Sequence, residues 1–379
     1  MSGLGIMSVG NALFAGTGVA THVRTALYFA SFLGCLLDAL RQFPWRKSAV
    51  MAVPYSLTAL VCTWRLILIF FVEHTQRYAD HDDPPNLFIE AYVLVCDTPA
   101  GWWWSNVLLL WVTVACPMAH AEATRRGMSA ALVLTYVVVA FLGAVSLAFP
   151  LLLAHLLTMP TNSTRPTTAI TKSTVWWVWP ACAGASLLSI GALPWSVDAS
   201  RPIFILALTI VHIVLALPFM HAATSPMKPP ALLDGAGYRH LAVVAAALHL
   251  SATAAATGEV ASADGYTGFG GFVSAFTSHL VNATMRNVCQ ASISIDAVLS
   301  SVAGSAFMVG SAERADRLHA LGCCAASVLV GPAAGLAVLC AHREDKVRAQ
   351  KQDQAAPASA AAERPGAGSA APADARCSE

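Results

Sequence analysis

Charged side chains are scarce in this sequence of 379 residues. Asp, Glu, Lys and Arg make up 11% of it, against about 25% in an average soluble protein. Hydrophobic residues make up 56%, and the mean hydropathy is +0.61. This composition excludes a disordered body and predicts a membrane protein built from helices, because a helix satisfies its own backbone hydrogen bonds within a bilayer. The formal net charge of +1 gives no reason to expect binding to nucleic acid.

Motifs for metals, nucleotides and disulfides are also absent. The twelve histidines form no HExxH or HxxxH motif, no DDxxD is present, and none of the ten cysteines forms a CxxC pair. These absences argue against a zinc hydrolase, a magnesium-diphosphate site and a disulfide framework. No GxxxxGK[ST] motif is present, so we expect no nucleotide-driven transport. We therefore predict that the protein uses no metal and no cofactor.

Apolar segments of about twenty residues, long enough to cross a bilayer, recur along the chain. They predict an all-α polytopic membrane helix bundle with eight or nine spans, of which the first and the seventh are the weakest. The predicted spans are 25–40, 49–72, 102–119, 129–157, 174–195, 202–222, 239–257, 291–310 and 319–341. They form one transmembrane domain over residues 1–345. Residues 346–379, rich in Ala, Pro, Gly and Ser, are predicted to be a disordered cytosolic tail.

Short loops rich in Lys and Arg predict the orientation of the spans, because such loops face the cytosol. Basic residues follow the first, third and last predicted spans, among them Arg41, Arg125 and Arg343. The acidic segment 73–101 then faces the lumen or the exterior, and so does the segment 158–173. The acidic segment and the C-terminal tail are therefore predicted on opposite sides of the membrane.

Two Asn-x-Ser/Thr sequons mark candidate glycosylation sites. Asn162 lies in a segment predicted to be lumenal, so we expect a glycoprotein of the endoplasmic reticulum or another endomembrane. Asn282 conflicts with the span count, which places 258–290 in the cytosol. Three explanations remain open: the seventh span is absent, residues 270–281 re-enter the membrane, or the sequon is unused.

Two carboxylates and three tryptophans stand at the start of the third predicted span. Glu90 lies in an apolar segment of eight residues, and Asp97 precedes a Thr-Pro-Ala-Gly break. Trp102, Trp103 and Trp104 follow that break. Acids near a bilayer are functional candidates because charge is costly there, and indole faces stabilise cations. The alternative is that both acids lie in lumenal water and the tryptophans form an interfacial belt.

We predict Glu90 as the proton donor and Asp97 as the residue that positions it. The neighbours of Glu90, Tyr92 among them, give it the apolar surroundings that an acid acting on an apolar substrate needs. Asp97 can be hydrogen-bonded by water and by the backbone of the break. Asp296, inside an apolar segment, is the next candidate acid, with a water-exposed helix start as the alternative. Arg65 either pairs with a lumenal carboxylate or extends its guanidinium to the membrane interface.

Other polar residues within or beside the spans are assigned structural roles. His212 and His249 lie inside predicted spans and are interpreted as hydrogen-bonded packing residues. Glu122 follows the third span beside His120 and is interpreted as a solvated cytosolic cap. None of these three side chains is assigned a part in the chemistry.

A pattern of acidic, aromatic and basic residues extends from Arg65 to Arg126. It consists of an acidic residue before an aromatic one, a Trp-Trp-Trp-Ser sequence, an apolar helix with Trp111, and Glu122 followed by Arg125 and Arg126. This segment resembles a fungal family of multi-pass proteins that includes integral-membrane terpene cyclases of meroterpenoid biosynthesis. The resemblance implies cyclisation of a farnesyl chain, or of its terminal epoxide, on an aromatic or cyclohexenone head group.

We therefore predict a proton-initiated terpene cyclase of secondary metabolism whose prenylated substrate enters from the lipid bilayer. An acid would protonate an epoxide or an alkene, and aromatic faces would stabilise the carbocation. A transporter or channel with Asp296, Arg65 and Asp38 along a polar path is the first alternative, although no internal repeat is visible in the sequence. A receptor-like membrane protein without chemistry is the second. The predicted substrate- and cation-contacting residues are Trp102, Trp103, Trp104, Tyr92 and Arg65.

Overall fold

The computed structural model describes residues 18–81, 85–160, 177–199, 201–225, 231–263 and 268–362, and the regular elements in these ranges are helices without strands. The all-α prediction is confirmed. The helices are α1 Gly18–Gln42, α2 Lys47–Val50, α3 Ala52–Arg77, α4 Leu87–Leu94, α5 Pro99–Arg126, α6 Ala130–Leu142, α7 Val145–Thr158, α8 Val178–Ala199, α9 Arg201–Thr224, α10 Gly235–Ala263, α11 Gly268–Thr284, α12 Val288–Ser311, α13 Arg317–Val330 and α14 Pro332–Ala362, with a 3-10 turn at Arg314–Asp316.

Six of the described helices are long and apolar enough to cross a membrane, namely α3, α5, α8, α9, α10 and α12. They support an integral membrane bundle, with six such helices in place of the predicted eight or nine spans. α1 covers the first predicted span but is not among the six. The outward face of α3 illustrates the lipid-facing surface, because Leu57, Val61, Leu68 and Val72 are all exposed there.

α5 forms the centre of the bundle, since it packs against α8, α10, α12 and α14. Its composition is apolar on every side, as expected for a helix that is buried all round. Local signals set its ends: the Thr98 side chain accepts a hydrogen bond from the Gly101 N–H at 3.2 Å, and Gly127, with a φ of 74°, ends the helix. A capping threonine and a left-handed glycine are common at these two positions. The helix therefore extends beyond the predicted 102–119 at both ends.

The bundle has two chemically different ends. We call one the basic end, defined by Arg125 at the end of α5 and Arg343 of α14, which converge on Glu122. We call the other the acidic end, defined by Asp97 before α5 and Glu259 of α10, whose carboxylate accepts the Ala100 N–H at 3.2 Å. By the rule for basic residues, the basic end is expected in the cytosol.

The predicted fourth span, 129–157, is a helical hairpin instead of a single helix. α6 leaves the basic end directly after α5, and α7 returns to it, where the Met159 carbonyl accepts a hydrogen bond from Arg126 Nη1 at 3.3 Å. The Tyr136 hydroxyl and His155 Nδ1, 3.2 Å apart, join the two arms. The chain turns at Gly143, where a β-carbon would clash with the ring of Phe32. The segment therefore enters and leaves the bundle on one side.

Gly143→Ala should destabilise the protein by about 1–3 kcal/mol, the usual effect of overpacking a filled core. Phe32 is buried and stacks on Trp64 with ring centroids 4.8 Å apart, so its ring has little room to move away. Thermal unfolding in detergent measures the loss. Gly184→Ala on α8 is the matched control, because a β-carbon there meets no atom within 4 Å. Equal melting temperatures for the two variants would contradict the packing argument.

The predicted last span, 319–341, is a second hairpin of the same kind. α13 begins at the basic end, where Asp316 contacts His342 at 3.3 Å and also binds Lys346. The chain turns at Gly331, whose φ is 93°, and α14 returns to the basic end. α14 then continues to Ala362, so the predicted boundary between 345 and 346 lies inside this helix.

The α6–α7 hairpin changes the predicted side of Met159 and of Asn282, because it removes one membrane crossing between Arg126 and each of them. The segment 158–173, expected in the lumen, is flanked by Met159 and by Trp179, whose Nε1 donates to His120 at 2.7 Å near the basic end. Asn162 itself lies outside the described residues. Asn282 is exposed on α11, which lies at the acidic end, because the Leu280 carbonyl accepts a hydrogen bond from Trp104 Nε1 at 3.1 Å. The span count that placed Asn282 in the cytosol is therefore corrected.

Cysteine labelling with a membrane-impermeant reagent tests this arrangement. Cysteines introduced at Leu157 and Ala315, both exposed near the basic end, should label from the same side of sealed vesicles. A cysteine at Met285, which is 74% exposed beside the acidic end, should label only from the opposite side. The unmodified chain gives the background from its own cysteines. If positions 157 and 315 label from opposite sides, residues 129–157 cross the membrane once, as predicted from the sequence, and the hairpin arrangement is wrong.

The hairpins belong to an internal two-fold repeat. α3, α4, α5 and the α6–α7 hairpin occur in the same order as α10, α11, α12 and the α13–α14 hairpin. Equivalent helices make equivalent contacts: α3 packs on α12 and α7, as α10 packs on α5 and α14. The capping residues Thr98 and Asn287 lie 189 positions apart, and the turning glycines Gly143 and Gly331 lie 188 apart. The repeat is not visible in the sequence, because the two halves share architecture but little sequence.

Candidate active site

A cavity of about 160 Å³ lies between the helices of the bundle, next to the turn of the α6–α7 hairpin. This is roughly ten times the space that one water molecule needs. Most of its wall is apolar, as in sites that bind small apolar molecules. The aromatic part of the wall consists of Tyr28, Phe70, Phe71, Phe88, Tyr92 and Phe141. The polar part consists of Thr63, Cys96, Ser105, His212, Cys289, Ser292 and Asp296.

Asp296 of α12 is the one carboxylic acid among the described residues of this wall. Its side chain is buried, and its two oxygens accept hydrogen bonds from the start of α7: Oδ1 from the Ser146 N–H at 2.6 Å and Oδ2 from the Val145 N–H at 3.1 Å. The first N–H groups of a helix have no partner within it, and its positive end favours an anion. Asp296 therefore caps α7 from another helix while it borders an apolar cavity.

The backbone on the other side of the hairpin turn is bonded by side chains of α1 and α3. The Tyr28 hydroxyl donates to the Leu142 carbonyl, and Trp64 Nε1 donates to the Gly143 carbonyl at 3.1 Å. Backbone that is not helical must find such partners inside an apolar bundle. The turn is thus held by three helices, which fixes the position of Asp296 relative to the cavity.

His212 of α9 also lines the cavity, although the sequence analysis interpreted it as a packing residue. Its Nδ1 lies 2.8 Å from the Leu208 carbonyl, which can only accept, so Nδ1 carries the proton and Nε2 is left as the acceptor of the neutral ring. Edge-to-face contacts with Phe141 and Tyr92, at 5.1 and 6.4 Å, orient the imidazole. Its position inside an apolar segment was visible in the sequence, but its contact with Phe141 was not, because only the hairpin brings that ring beside it.

Glu90 lies at the acidic end, and its side chain is not part of the cavity wall. Arg77 Nη1 donates to its Oε1 at 2.9 Å, and His74 Nε2 lies 3.1 Å from its Oε2 without hydrogen-bond geometry. On the same short helix, Ala91 and Tyr92 do line the cavity. Glu90 thus faces the end of α3, and its position gives no support to the prediction that it donates a proton to a substrate there.

Asp97 and Arg65 lie outside the cavity as well. Asp97 is exposed and pairs with Arg286 at 3.3 Å. Partial burial raises the pKa of Asp97 above its ordinary value, and the Arg286 guanidinium opposes that rise. Arg65 is exposed on α3 and makes no ion pair with any residue that the structure describes, so the predicted pairing with a lumenal carboxylate is not found. Arg65 lies midway along α3, so the alternative, an extended side chain at the membrane interface, stays a prediction.

Trp103 and Trp104 contact the second repeat, and none of the three tryptophans is part of the cavity wall. Trp103 Nε1 donates to Thr253 Oγ1 of α10 at 2.9 Å, and Trp104 Nε1 donates to the Leu280 carbonyl of α11. Trp102 is buried in the core. Trp103 and Trp104 hold the start of α5 against α10 and α11, and the contact of the tryptophans with a cation stays a prediction.

Two weak acids of the cavity wall remain neutral at physiological pH. Burial raises the pKa of Tyr92 to about 12, with a smaller contribution from the nearby Cys96. Burial also raises the pKa of the Cys96 thiol to about 12. Tyr92, the one predicted substrate-contacting residue that lines the cavity, therefore offers an aromatic face and a neutral hydroxyl. Neither group supplies a proton or a base at neutral pH.

Glu122 is buried, contrary to its interpretation as a solvated cap. Its carboxylate binds three guanidinium groups: Arg125 Nη1 at 2.7 Å, Arg126 Nη2 at 3.2 Å and Arg343 Nη2 at 3.0 Å. Arg125 also binds Glu344 of α14. This network joins α5 to α14 and shares no residue with the cavity wall, so it holds the fold and does not form part of the candidate site.

No family model, no curated protein and no solved structure matches this chain. The resemblance of residues 65–126 to membrane terpene cyclases therefore stays a prediction. Function has to be inferred from the cavity, its acid and its aromatic wall.

Proposed function

We propose that this integral membrane protein is a proton-initiated terpene cyclase and that Asp296 is its acid. The proposal depends on one observation: an apolar, aromatic cavity contains a single carboxyl group within the described residues, and no Lys or Arg lines the wall. A buried carboxylate without a cationic partner is costly. The negative charge of Asp296 must therefore be neutralised, either by a proton on its own carboxyl group or by a cationic ligand.

A proton on Asp296 is what the first step of cyclisation needs. The acid donates it to the oxygen of a terminal epoxide or to an alkene carbon. The N–H groups of Val145 and Ser146 then stabilise the carboxylate that is left, without having to reorient. The faces of the surrounding phenyl and phenol rings stabilise the carbocation, and an apolar wall limits its capture by water.

The substrate that fits this chemistry is a prenylated small molecule, with a farnesyl or epoxyfarnesyl chain in the cavity. Such a molecule dissolves in the bilayer and can reach the cavity between helices. The chemistry uses no metal or cofactor. We extend the proposal to secondary metabolism and to the endoplasmic reticulum or another endomembrane, with the acidic end and the exposed Asn282 in the lumen.

The test is conversion of an epoxyfarnesylated phenol by membranes that contain the protein. A cyclic product of the same mass as the substrate is expected, since cyclisation is an isomerisation. Ala91→Phe, which places a ring in the cavity wall, should abolish conversion. Leu57→Phe on the exposed face of α3 is the matched control and should retain it. If no prenylated phenol is cyclised by folded protein, the cyclase proposal is rejected.

A lipophilic cation carrier is the second candidate, and the two-fold repeat favours it. Parallel repeats occur in several families of transporters, whose substrates bind between the halves. An organic ammonium group would pair with Asp296 and contact the aromatic wall. Proteoliposomes that accumulate a lipophilic tertiary amine, and lose this activity in Asp296→Asn, would favour the carrier over the cyclase.

A further inference from the structure

We infer that His212 is the base that ends the reaction by removing a proton from the final carbocation; this inference rests on the proposed cyclase function. A cyclisation that begins with protonation gives a neutral alkene only if a C–H proton is lost. The group that removes it has to lie in the cavity, because water there would add to the cation and give an alcohol instead.

The contacts of His212 fix its tautomer and the orientation of its imidazole ring. The Leu208 carbonyl holds the proton on Nδ1, with the two atoms 2.8 Å apart. The basic lone pair is then on Nε2, and the ring contacts with Phe141 and Tyr92 fix the direction in which it faces. This is the arrangement by which a carbonyl partner on one imidazole nitrogen orients the other nitrogen for proton transfer.

The other wall groups are poorer bases for this step. Tyr92 and Cys96 stay protonated at neutral pH, and hydroxyl groups such as Thr63 and Ser292 are weakly basic. Asp296 donates the first proton from α12, whereas His212 belongs to α9. Acid and base on separate helices suit a cascade in which the positive charge moves along the prenyl chain between the first and the last step.

The protons and electron pairs balance. The Asp296 O–H proton forms a new O–H bond at the epoxide, whose C–O bond breaks, and alkene electron pairs form the ring C–C bonds. At the end a C–H bond breaks, its electron pair forms the product alkene, and the proton binds Nε2 of His212. The substrate and the product have the same composition. Transfer of one proton from imidazolium to carboxylate, through water between turnovers, restores both groups.

The experiment compares His212→Gln and His212→Ala with His249→Gln, using the epoxyfarnesylated phenol and mass spectrometry. His249 is the matched control because it also lies on a spanning helix but packs against Trp103, outside the cavity wall. The His212 variants should lose about 10²-fold or more of the single alkene product. Isomeric alkenes and a water adduct should replace it. Added imidazole should restore the alkene in His212→Ala, which a purely structural loss would not allow.

The outcomes separate this inference from the cyclase proposal. If His212→Gln and His212→Ala form the same alkene at the wild-type rate, His212 is not the base, while the cyclase proposal stands. If both variants lose activity, give no water adduct and are not rescued by imidazole, His212 has a structural role only. If the unmodified protein cyclises nothing, both ideas are rejected together.

Discussion

Asp296→Asn lowers the rate of cyclisation by about 10²–10⁴-fold, the usual effect of removing a general acid. The amide that replaces the carboxyl group has no proton of suitable acidity, yet its oxygen can still accept one of the two N–H groups at the start of α7. The hairpin turn should therefore persist, with a moderate loss of stability. Product formed per folded protein, measured in membranes of equal protein content, gives the rate.

Glu90→Gln and Asp97→Asn are the matched controls for this change. Both acids pair with arginines at the acidic end and lie outside the cavity wall, so their loss should leave turnover close to that of the wild type. If Asp296→Asn keeps full turnover and Glu90→Gln loses turnover, Glu90 is the proton donor instead of Asp296. Loss in all three variants with normal folding would point to a wider electrostatic effect.

Glu122→Gln lowers the free energy of unfolding by about 3–5 kcal/mol, the usual result of removing one partner of a buried ion pair. Three guanidinium groups bind this carboxylate at 2.7–3.2 Å, while its side chain is only 2% exposed. Without it, Arg126 and Arg343 lose the carboxylate between them, and water cannot replace it in the core. Thermal unfolding in detergent and the yield of folded protein measure the effect.

Asp345→Asn provides the comparison on the surface. Asp345 pairs with Arg239, but their side chains are 44% and 56% exposed. Exposed pairs contribute about 0–1 kcal/mol, so this variant should unfold close to the wild-type temperature. Similar losses for the two variants would show that the Glu122 network is much more hydrated than its burial indicates.

The sequence predicts the fold class well because hydropathy reports directly on the bilayer. It could not predict the hairpins, since an apolar segment such as 129–157 has the same composition whether it crosses the bilayer or turns back. Two signals were available: the segment is longer than a span needs, and Gly143 lies in its middle. The close approach of Phe32 makes that glycine necessary, and this contact comes from another helix.

The candidate site could be predicted only in part, for a related reason. Asp296 was found as a candidate because an acid in an apolar segment is conspicuous. Glu90 was preferred to Asp296 because the sequence around Glu90 is apolar. Its polar neighbours, Arg77 and His74, contact Glu90 only because α3 packs on α4. The contacts of Trp103 and Trp104 could not be predicted either, because their partners lie on α10 and α11, far away in the chain.

The ion pair between Asp97 and Arg286 shows that the two repeats are not interchangeable. These residues lie 189 positions apart and touch each other, as equivalent positions do on a two-fold axis. In a homodimer of a single repeat both positions would hold the same residue, and two like charges would repel across the axis. An ion pair at this place therefore requires two halves that differ in sequence. By the same spacing Asp296 corresponds to the buried Val107, so the acid that borders the cavity belongs to one half only, and the two hairpin turns are chemically different.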